Sequence, residues 1–317
     1  MLTLLLDRGA MDCGDLDLGA LERALPDWRS YESTHDAEVA GRIVDATAVI
    51  SNKVRLDEAA LRNAQQLRLI CIAATGTNHV DLEAAKRRGI AVCNVRGYAT
   101  PSVVQHVFAL ILALSIRLPD YQRALREGRW QASAQFCLLD YPIREIAGKT
   151  LGIIGYGELG QAVARVAEAF GMTVLVAQRA GSPAAPGRMP LHEMLPQLDV
   201  LSLHCPLAPE TRGLIGVQEL ALMKPDALLI NTARGGIVDE EALAEALHNG
   251  RLGGAGVDVL REEPPVHGNP LLTDDVPNLI VTPHIAWASR ESRQRLVNET
   301  AENIRAFFSG IERNRVV

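Results

Sequence analysis

The stretch Leu151–Arg179, LGIIGYGELGQAVARVAEAFGMTVLVAQR, decides how this chain folds. It opens with an apolar run that reads as a buried strand, and Gly155, Gly157 and Gly160 then form a G-x-G-x-x-G turn. Behind the turn, Ala162, Val163, Val166, Ala167 and Phe170 recur at helical spacing, and Met172–Ala177 is a second apolar strand. A strand that feeds a helix through such a turn is a βαβ unit. Gly155 permits the tight turn, Gly157 lets the backbone approach a pyrophosphate, and Gly160 lets the helix pack close on the strand. Free amides and the positive end of the helix dipole favour phosphate at that point. The glycine pattern alone occurs in many loops; in this setting it predicts dinucleotide binding.

Outward from that unit, 317 residues suffice for two domains of ordinary size. The chain is 48% hydrophobic and 22% charged, as expected of a globular protein with a substantial core. A net charge of −6 gives no basic field for nucleic acid or an anionic membrane. The longest apolar stretch, Val103–Ile116, is broken by Gln105, His106 and Ser115 and is too short to span a bilayer. Leu2–Leu6 is too short for a signal peptide and is followed at once by Asp7, so it reads as the first strand. Cys13, Cys71, Cys93, Cys137 and Cys205 are scattered without a C-x-x-C pair. They fit a reducing compartment and indicate neither a disulfide framework nor a metal site. The expectation is a cytoplasmic α/β protein.

Residues 1–97 alternate short apolar runs with helical patterns. Strands are expected at Leu2–Leu6, Ala48–Ser51, Leu69–Ala73 and Ala91–Asn94, and helices at Asp57–Asn63 and Leu82–Arg88. Strands separated by helices imply parallel pairing. Ala74, Thr75 and Gly76 begin a loop of small residues at the carboxyl end of the third strand, where open α/β sheets bind ligands; it reads equally as an ordinary turn. Thr100 and Pro101 suggest the N-cap and first turn of a long apolar helix reaching about Leu118, and 128–148 reads as a connecting loop. A Gly/Ser/Pro/Ala-rich loop follows Arg179 up to Pro190, then a short helix near Leu191–Leu195. Further strands are expected at Val200–His204, Ala227–Asn231, Ala255–Val259 and Leu279–Thr282, with helices at Asp239–His248 and Arg290–Phe308.

Three polar residues near the ends of these later strands stand out: Arg234 in NTARGG, Glu263 in REEPP and His284 in TPHIAWAS. Singly, each reads as an ordinary surface or loop residue. Together, behind a dinucleotide fold, they suit one reaction. Reduction of a 2-oxo acid needs a cation for the carboxylate, and arginine's planar fork meets a carboxylate bidentately. It also needs a proton for the carbonyl oxygen, which histidine supplies near neutral pH. A carboxylate beside the ring would orient it and favour its charged form.

At this point the chain resembles the D-isomer-specific 2-hydroxyacid dehydrogenases over essentially its whole length. The matching motifs are GYGELG (155–160), HCPL (204–207), NTARGG (231–236), GVDV (256–259), EEPP (262–265) and PHIAWAS (283–289). The resemblance implies two doubly wound α/β domains with the active site in the cleft. A Rossmann cofactor domain (99–285) would be inserted into a flavodoxin-like substrate domain (1–98 and 286–317). Arg234 would bind and polarise the 2-oxo acid, His284 would be the acid/base and Glu263 its partner. Cofactor contacts would come from Val104, Gly155, Gly157, Glu158, Leu159, Gly160, Gln178, Arg179, Cys205, Pro206, Thr211, Ala233 and His284. Asp258 and the Thr232 region would hold the nicotinamide carboxamide. Ala74, Thr75 and Gly76 would offer backbone amides to the substrate carboxylate, beside Trp287. FCLLDYP (136–142) and Trp287 bring the chain nearest to the bacterial glycerate dehydrogenases, also called hydroxypyruvate or glyoxylate reductases. Their small polar substrates, with D-glycerate or glycolate as products, are the expectation. The resemblance further implies a homodimer formed through the cofactor domain, with the helix beginning at Pro101 as a candidate interface; its apolar residues equally suit a core.

One departure concerns the cofactor. NAD-using members carry an acidic residue at the end of the second strand, where this chain has Gln178 followed by Arg179. A carboxylate there repels a 2′-phosphate and an arginine accommodates one, so NADP(H) is favoured over NAD(H). An Arg179 directed to solvent would leave either cofactor acceptable. Gln105 stands where many relatives carry glutamate, with no consequence drawn. The alternatives are a phosphoglycerate- or D-lactate-type dehydrogenase and a dinucleotide-sensing corepressor-like binding protein. The chain stops at Val317 without an added regulatory domain, long tail or low-complexity arm, which disfavours the phosphoglycerate type and the corepressor.

Overall fold

The computed structural model describes residues 1–317 except Pro26, Ala180, Ser182 and Ala184. Its elements run β1 (Leu2–Leu5), α1 (Gly19–Ala24), β2 (Asp27–Ser30), α2 (Asp36–Ile43), β3 (Ala48–Ser51), α3 (Glu58–Leu61), β4 (Leu69–Ile72), α4 (Leu82–Arg87) and β5 (Ala91–Cys93). These strands form one parallel sheet in the order β2-β1-β3-β4-β5. β3 and β4 are buried along their whole length, the continuous burial that helices on both faces of a parallel sheet impose. β2 was not legible in the pattern. Its sequence, DWRS, is mostly exposed and joins the sheet only as an edge beside β1.

The chain continues through α5 (Thr100–Ser115), α6 (Leu118–Arg126), β6 (Thr150–Ile154), α7 (Glu158–Ala169), β7 (Thr173–Val176), α8 (Leu191–Met194), β8 (Val200–Leu203), α9 (Val217–Leu222), β9 (Leu228–Asn231), α10 (Glu240–His248), β10 (Gly254–Val257) and β11 (Leu279–Val281). The second sheet is parallel, in the order β11-β10-β9-β8-β6-β7. Beyond β7, Ala177 and Met189 form one more parallel bridge. The loop expected between Arg179 and Pro190 falls partly on Ala180, Ser182 and Ala184, outside the described residues.

The long apolar helix is shorter than its pattern suggested. Arg117 takes a left-handed φ of 54°, ending α5 and starting α6. Thr100 does not cap α5; it lies inside the helix, and its hydroxyl donates to the Glu158 carboxylate at 2.7 Å. Val103, Val107, Phe108, Leu110, Ile111 and Leu114 are buried, and α5 packs on α7, β9, β10 and β11. This helix is therefore largely core. No single helix among the described residues is long and apolar enough to cross a membrane.

The chain ends with α11 (Arg290–Phe308), which packs on α1 and β4 of the first sheet. Arg293 clamps Asp15 with two hydrogen bonds of 2.7 and 2.8 Å. The C-terminal residues then pair antiparallel with β5, where the Val316 amide donates to Val92 at 2.7 Å and covers the sheet edge. The polypeptide thus divides into two compact units, Met1–Ala99 with Trp287–Val317, and Thr100–Ala286.

Candidate active site

In the Thr100–Ala286 unit the strand order reverses between β6 and β8, the crevice where doubly wound sheets bind ligands. After β6 the chain turns at Gly155, whose φ is +90°. A Cβ there would lie 2.6 Å from the His204–Cys205 peptide, so only glycine lets the turn rest on the end of β8. A Cβ on Gly160 would fall 2.1 Å from the Gly155 carbonyl oxygen, which explains how α7 seats against the turn. Gly157 is different: a Cβ there would meet nothing within 4 Å. Gly157 is the N-cap of α7 and no side chain caps the helix, so its first amides face open space. Leu159, in that first turn, is half-buried, as is Val104 on α5.

The ends of β7 and β8 flank this turn. The Gln178 amide donates to Met189 at 2.8 Å, and the exposed Arg179 side chain lies 3.6 Å from Glu210. Cys205 is buried, which pushes its thiol pKa up. Thr211 closes the loop after it, its hydroxyl donating to Pro206 at 2.7 Å and accepting from the Ala208 amide at 2.8 Å. His204 shares a hydrogen bond of 2.9 Å with the Ser202 hydroxyl; burial lowers its pKa to about 4, so the ring is neutral at pH 7.

At the end of β9, Asn231 shapes the turn that carries Arg234. Its Oδ1 accepts from the Ala233 amide at 3.1 Å and its Nδ2 donates to the Arg234 carbonyl at 3.0 Å. A Cβ on Gly235 would lie 1.9 Å from the Leu260 carbonyl oxygen, so this turn abuts the loop that carries Glu263. Among the described residues the buried Thr232 hydroxyl has no hydrogen-bond partner.

β10 pairs with both β9 and β11, and Asp258 sits one residue past its end. The Asp258 side chain is 1% exposed. Its Oδ1 accepts from the Thr282 hydroxyl at 2.5 Å and the Ile285 amide at 2.9 Å, and its Oδ2 from the Ala286 amide at 2.9 Å. Asp258 therefore holds the segment after β11 in place while Oδ2 keeps capacity for one further donor. His106 on α5 joins this network, its Nε2 3.0 Å from the Thr282 hydroxyl and 3.6 Å from Asp258 Oδ1.

His284 sits in the clamped segment with a left-handed φ of 55°, unusual for a side chain of its size. Its amide donates to Asp258 at 2.8 Å and Thr282 at 2.9 Å, which stabilises that conformation. Its Nδ1 lies 2.7 Å from Glu263 Oε2, and Glu263 Oε1 accepts from the Leu260 amide at 2.9 Å. His284 and Glu263 thus form a pair, 26% and 35% exposed, beside the Arg234 turn.

In the other unit the loop after β4 is held open. The Thr75 hydroxyl donates to Val95 at 2.8 Å, Asn94 Nδ2 donates to the Thr75 carbonyl at 2.8 Å, and Ala74 accepts from the Val95 amide at 3.0 Å. Among the described residues of this unit the Thr75 and Gly76 amides have no backbone acceptor. Trp287 meets Tyr98 edge to face at 6.3 Å. Next to β1, the buried Asp7 carboxylate accepts amides from Asn52 at 2.9 Å and Lys53 at 2.6 Å. Burial raises the Asp7 pKa against those amides and Lys53, which lower it.

Residues 108–286 match the profile described as "D-isomer specific 2-hydroxyacid dehydrogenase, NAD binding domain". The chain is 46% identical over 308 residues to the glycerate dehydrogenase of Methylorubrum extorquens, covering 96% of this chain and 97% of that protein. The chain belongs to the D-isomer-specific 2-hydroxyacid dehydrogenases. Another family member, the hydroxypyruvate reductase of Blautia hydrogenotrophica, is 38% identical over 317 residues, 98% of each chain. An NADPH-dependent glyoxylate/hydroxypyruvate reductase from Sinorhizobium meliloti, solved in complex with citrate, superposes with a TM-score of 0.83 at 30% identity. That match covers all of this chain and 97% of the other.

As a family member this protein is an NAD(P)H-dependent oxidoreductase of 2-hydroxy and 2-oxo acids, with an NAD-binding domain in residues 108–286. The residues present fit a dinucleotide: Gly157 leaves its phosphate side open and Thr232 offers a buried hydroxyl without a partner. Pattern reading missed Asn231 as the brace of the arginine turn, and His106 and Thr282 as partners of Asp258. Those contacts join residues 2 to 176 apart, and nothing local in the sequence announces the distant ones.

Proposed function

We propose that this dehydrogenase reduces hydroxypyruvate or glyoxylate to D-glycerate or glycolate, with NADPH as its preferred reductant. The observation that carries the reading is the His284–Glu263 pair at 2.7 Å. When bound, the dinucleotide supplies a hydride to the carbonyl carbon of the acid. His284 gives the carbonyl oxygen its proton. Glu263, accepting at Nδ1, fixes the ring's tautomer and leaves Nε2 as the nitrogen that carries the transferred proton. Arg234 pairs with the substrate carboxylate through its planar guanidinium and polarises the carbonyl. In the other unit, the Thr75 and Gly76 amides, beside Ala74, are proposed donors to a substrate carboxylate, with Trp287 a proposed substrate-binding residue.

For the cofactor, the proposed pyrophosphate site is the turn Gly155–Gly160, including Glu158 and Leu159. Val104, Cys205, Pro206, Thr211, Ala233 and His284 are the proposed walls of the dinucleotide channel. Thr232 and Asp258 Oδ2 are the proposed partners of the carboxamide. The NADPH preference rests on Gln178, which brings no carboxylate to repel a 2′-phosphate, and on the arginine after it. The NADPH-dependent Sinorhizobium enzyme lends support, as do the names of the two relatives for the substrate.

Initial rates crossing NADPH and NADH with hydroxypyruvate, glyoxylate, pyruvate and 3-phosphohydroxypyruvate test the proposal. The expected result is fastest turnover of hydroxypyruvate or glyoxylate with NADPH. Inactivity toward both acids with either cofactor rejects it. His284→Asn should cut kcat by about 10²–10⁴ while cofactor binding persists. Arg234→Ala should raise KM and lower kcat together.

We also propose a homodimer formed through the Thr100–Ala286 unit. Trp130, Phe136, Leu139 and Ile143 are 51%, 89%, 76% and 55% exposed in one stretch, an apolar surface suited to a second copy. Light scattering on the eluting protein should give twice the chain mass, and a monomer at micromolar concentration rejects this. The five unpaired cysteines support the cytoplasm as its compartment.

A further inference from the structure

The end of β7 carries a second arginine that the motif does not include. Met189 bridges Ala177, the Gln178 amide donates to Met189 at 2.8 Å, and the Met189 amide donates to Val176 at 3.0 Å. Those bonds set Arg188 beside the end of β7, opposite Val176 in the parallel register, although twelve positions separate the two in sequence. The Arg188 guanidinium carbon lies 4.8 Å from the centroid of the Tyr156 ring, and Tyr156 sits between Gly155 and Gly157 in the phosphate turn. Arg188 is half-buried, and among the described residues no carboxylate lies within ion-pair distance of it. Arg179 is in the opposite condition. Its side chain is 80% exposed and Glu210 stands 3.6 Å away.

We propose that Arg188, seated on Tyr156, is the cation that selects the 2′-phosphate of NADP(H), and that Arg179 is secondary. The inference rests on the NADPH preference proposed above. A guanidinium stacked on an aromatic face keeps its N–H edge for a phosphate and loses less rotamer freedom on binding. A dianionic phosphate draws most on a cation whose field no neighbouring carboxylate offsets. At Arg179 the Glu210 carboxylate does offset it and repels the phosphate, whereas at Arg188 no carboxylate among the described residues does so.

The test measures binding rather than turnover. Titration calorimetry with 2′,5′-ADP and 5′-AMP, and with NADPH and NADH, is run on the wild type, Arg188→Gln, Arg179→Gln and Tyr156→Leu. The wild type is expected to prefer the 2′-phosphorylated ligand of each pair. Arg188→Gln should lower that preference at least tenfold with NADH affinity unchanged. Tyr156→Leu should lower it severalfold, and Arg179→Gln less than threefold. A wild type without preference rejects the NADPH reading and this assignment with it. A wild-type preference that survives Arg188→Gln, or that vanishes in Arg179→Gln, overturns the Arg188 assignment alone. Melting temperatures close to the wild type's separate these outcomes from misfolding.

Discussion

The two units are both doubly wound parallel sheets, and each reverses its strand order at one point, between β1 and β3 in the first and between β6 and β8 in the second. What occupies the two points differs. In the first unit Asp7, just past β1, places its own carboxylate on the successive amides of Asn52, Lys53 and Val54, at 2.9, 2.6 and 3.3 Å. In the second unit the equivalent amides follow Gly157, and beyond its chain neighbours no described atom lies within 4 Å of where its side chain would begin. Backbone amides at such a strand end attract an anion in either case. The first sheet satisfies them internally with a side chain, and the second leaves them at the proposed phosphate site. A shared topology therefore yields one structural junction and one open turn, the proposed binding site, and the difference is a carboxylate against a glycine.

Filling the open point should be the most costly change. Gly157 has an extended backbone, φ −76° and ψ −161°, which valine adopts without strain. Gly157→Val should weaken dinucleotide binding about 100-fold, equivalent to about 2.8 kcal/mol, with little change in Tm. Binding that survives valine would mean the phosphates do not use this turn. Emptying the closed point is the converse. Asp7→Ala should destabilise the first unit by about 1–3 kcal/mol, because it strands buried amides, while dinucleotide affinity holds. Equal losses of stability and affinity in a denaturation and binding series would undo the contrast.

Acid should weaken both units by the same route. His79 in the first and His204 in the second have pKa values lowered to about 4, burial being the main cause in each and Lys53 adding to it at His79. The unfolded chain, titrating near 6.5, binds the extra protons first, so stability is complete above about 6.5 and falls as pH drops toward 4. At pH 5.5 each histidine should cost about 1 kcal/mol. His79→Gln and His204→Gln should each flatten the acid limb of the stability curve, and an unchanged limb contradicts the assignment. The smallest effect belongs to Thr232→Val. It removes a buried hydroxyl without a partner, so stability should stay within about 0.5 kcal/mol, and cofactor affinity should fall only a few-fold.

Most strands, and the three residues proposed for catalysis, were legible because their signals are local. Apolar runs such as AVIS, LICI and VLSL are bounded by polar turns, and Arg234 and His284 each follow a strand end by three residues. β2 was missed because an exposed edge strand needs no apolar alternation. The α5–α6 break escaped notice because a left-handed arginine leaves no mark on the hydrophobic pattern. The helix at Pro101 was open between core and interface, and its contacts with β9, β10 and β11 put most of its apolar face in the core.

By itself the sequence determined the α/β class, and it marked the glycine turn and the three residues proposed for reducing a 2-oxo acid. Each depends on short-range patterning: hydrophobic period, glycine spacing, and residue type at a strand's end. Only the tertiary structure decided which polar groups are committed elsewhere. It turned Asp258 into a clamp for the segment of His284, gave Asp7 to three amides, and set Arg188 on Tyr156, 32 positions earlier in the chain. A side chain's partners depend on which distant backbone the fold brings beside it.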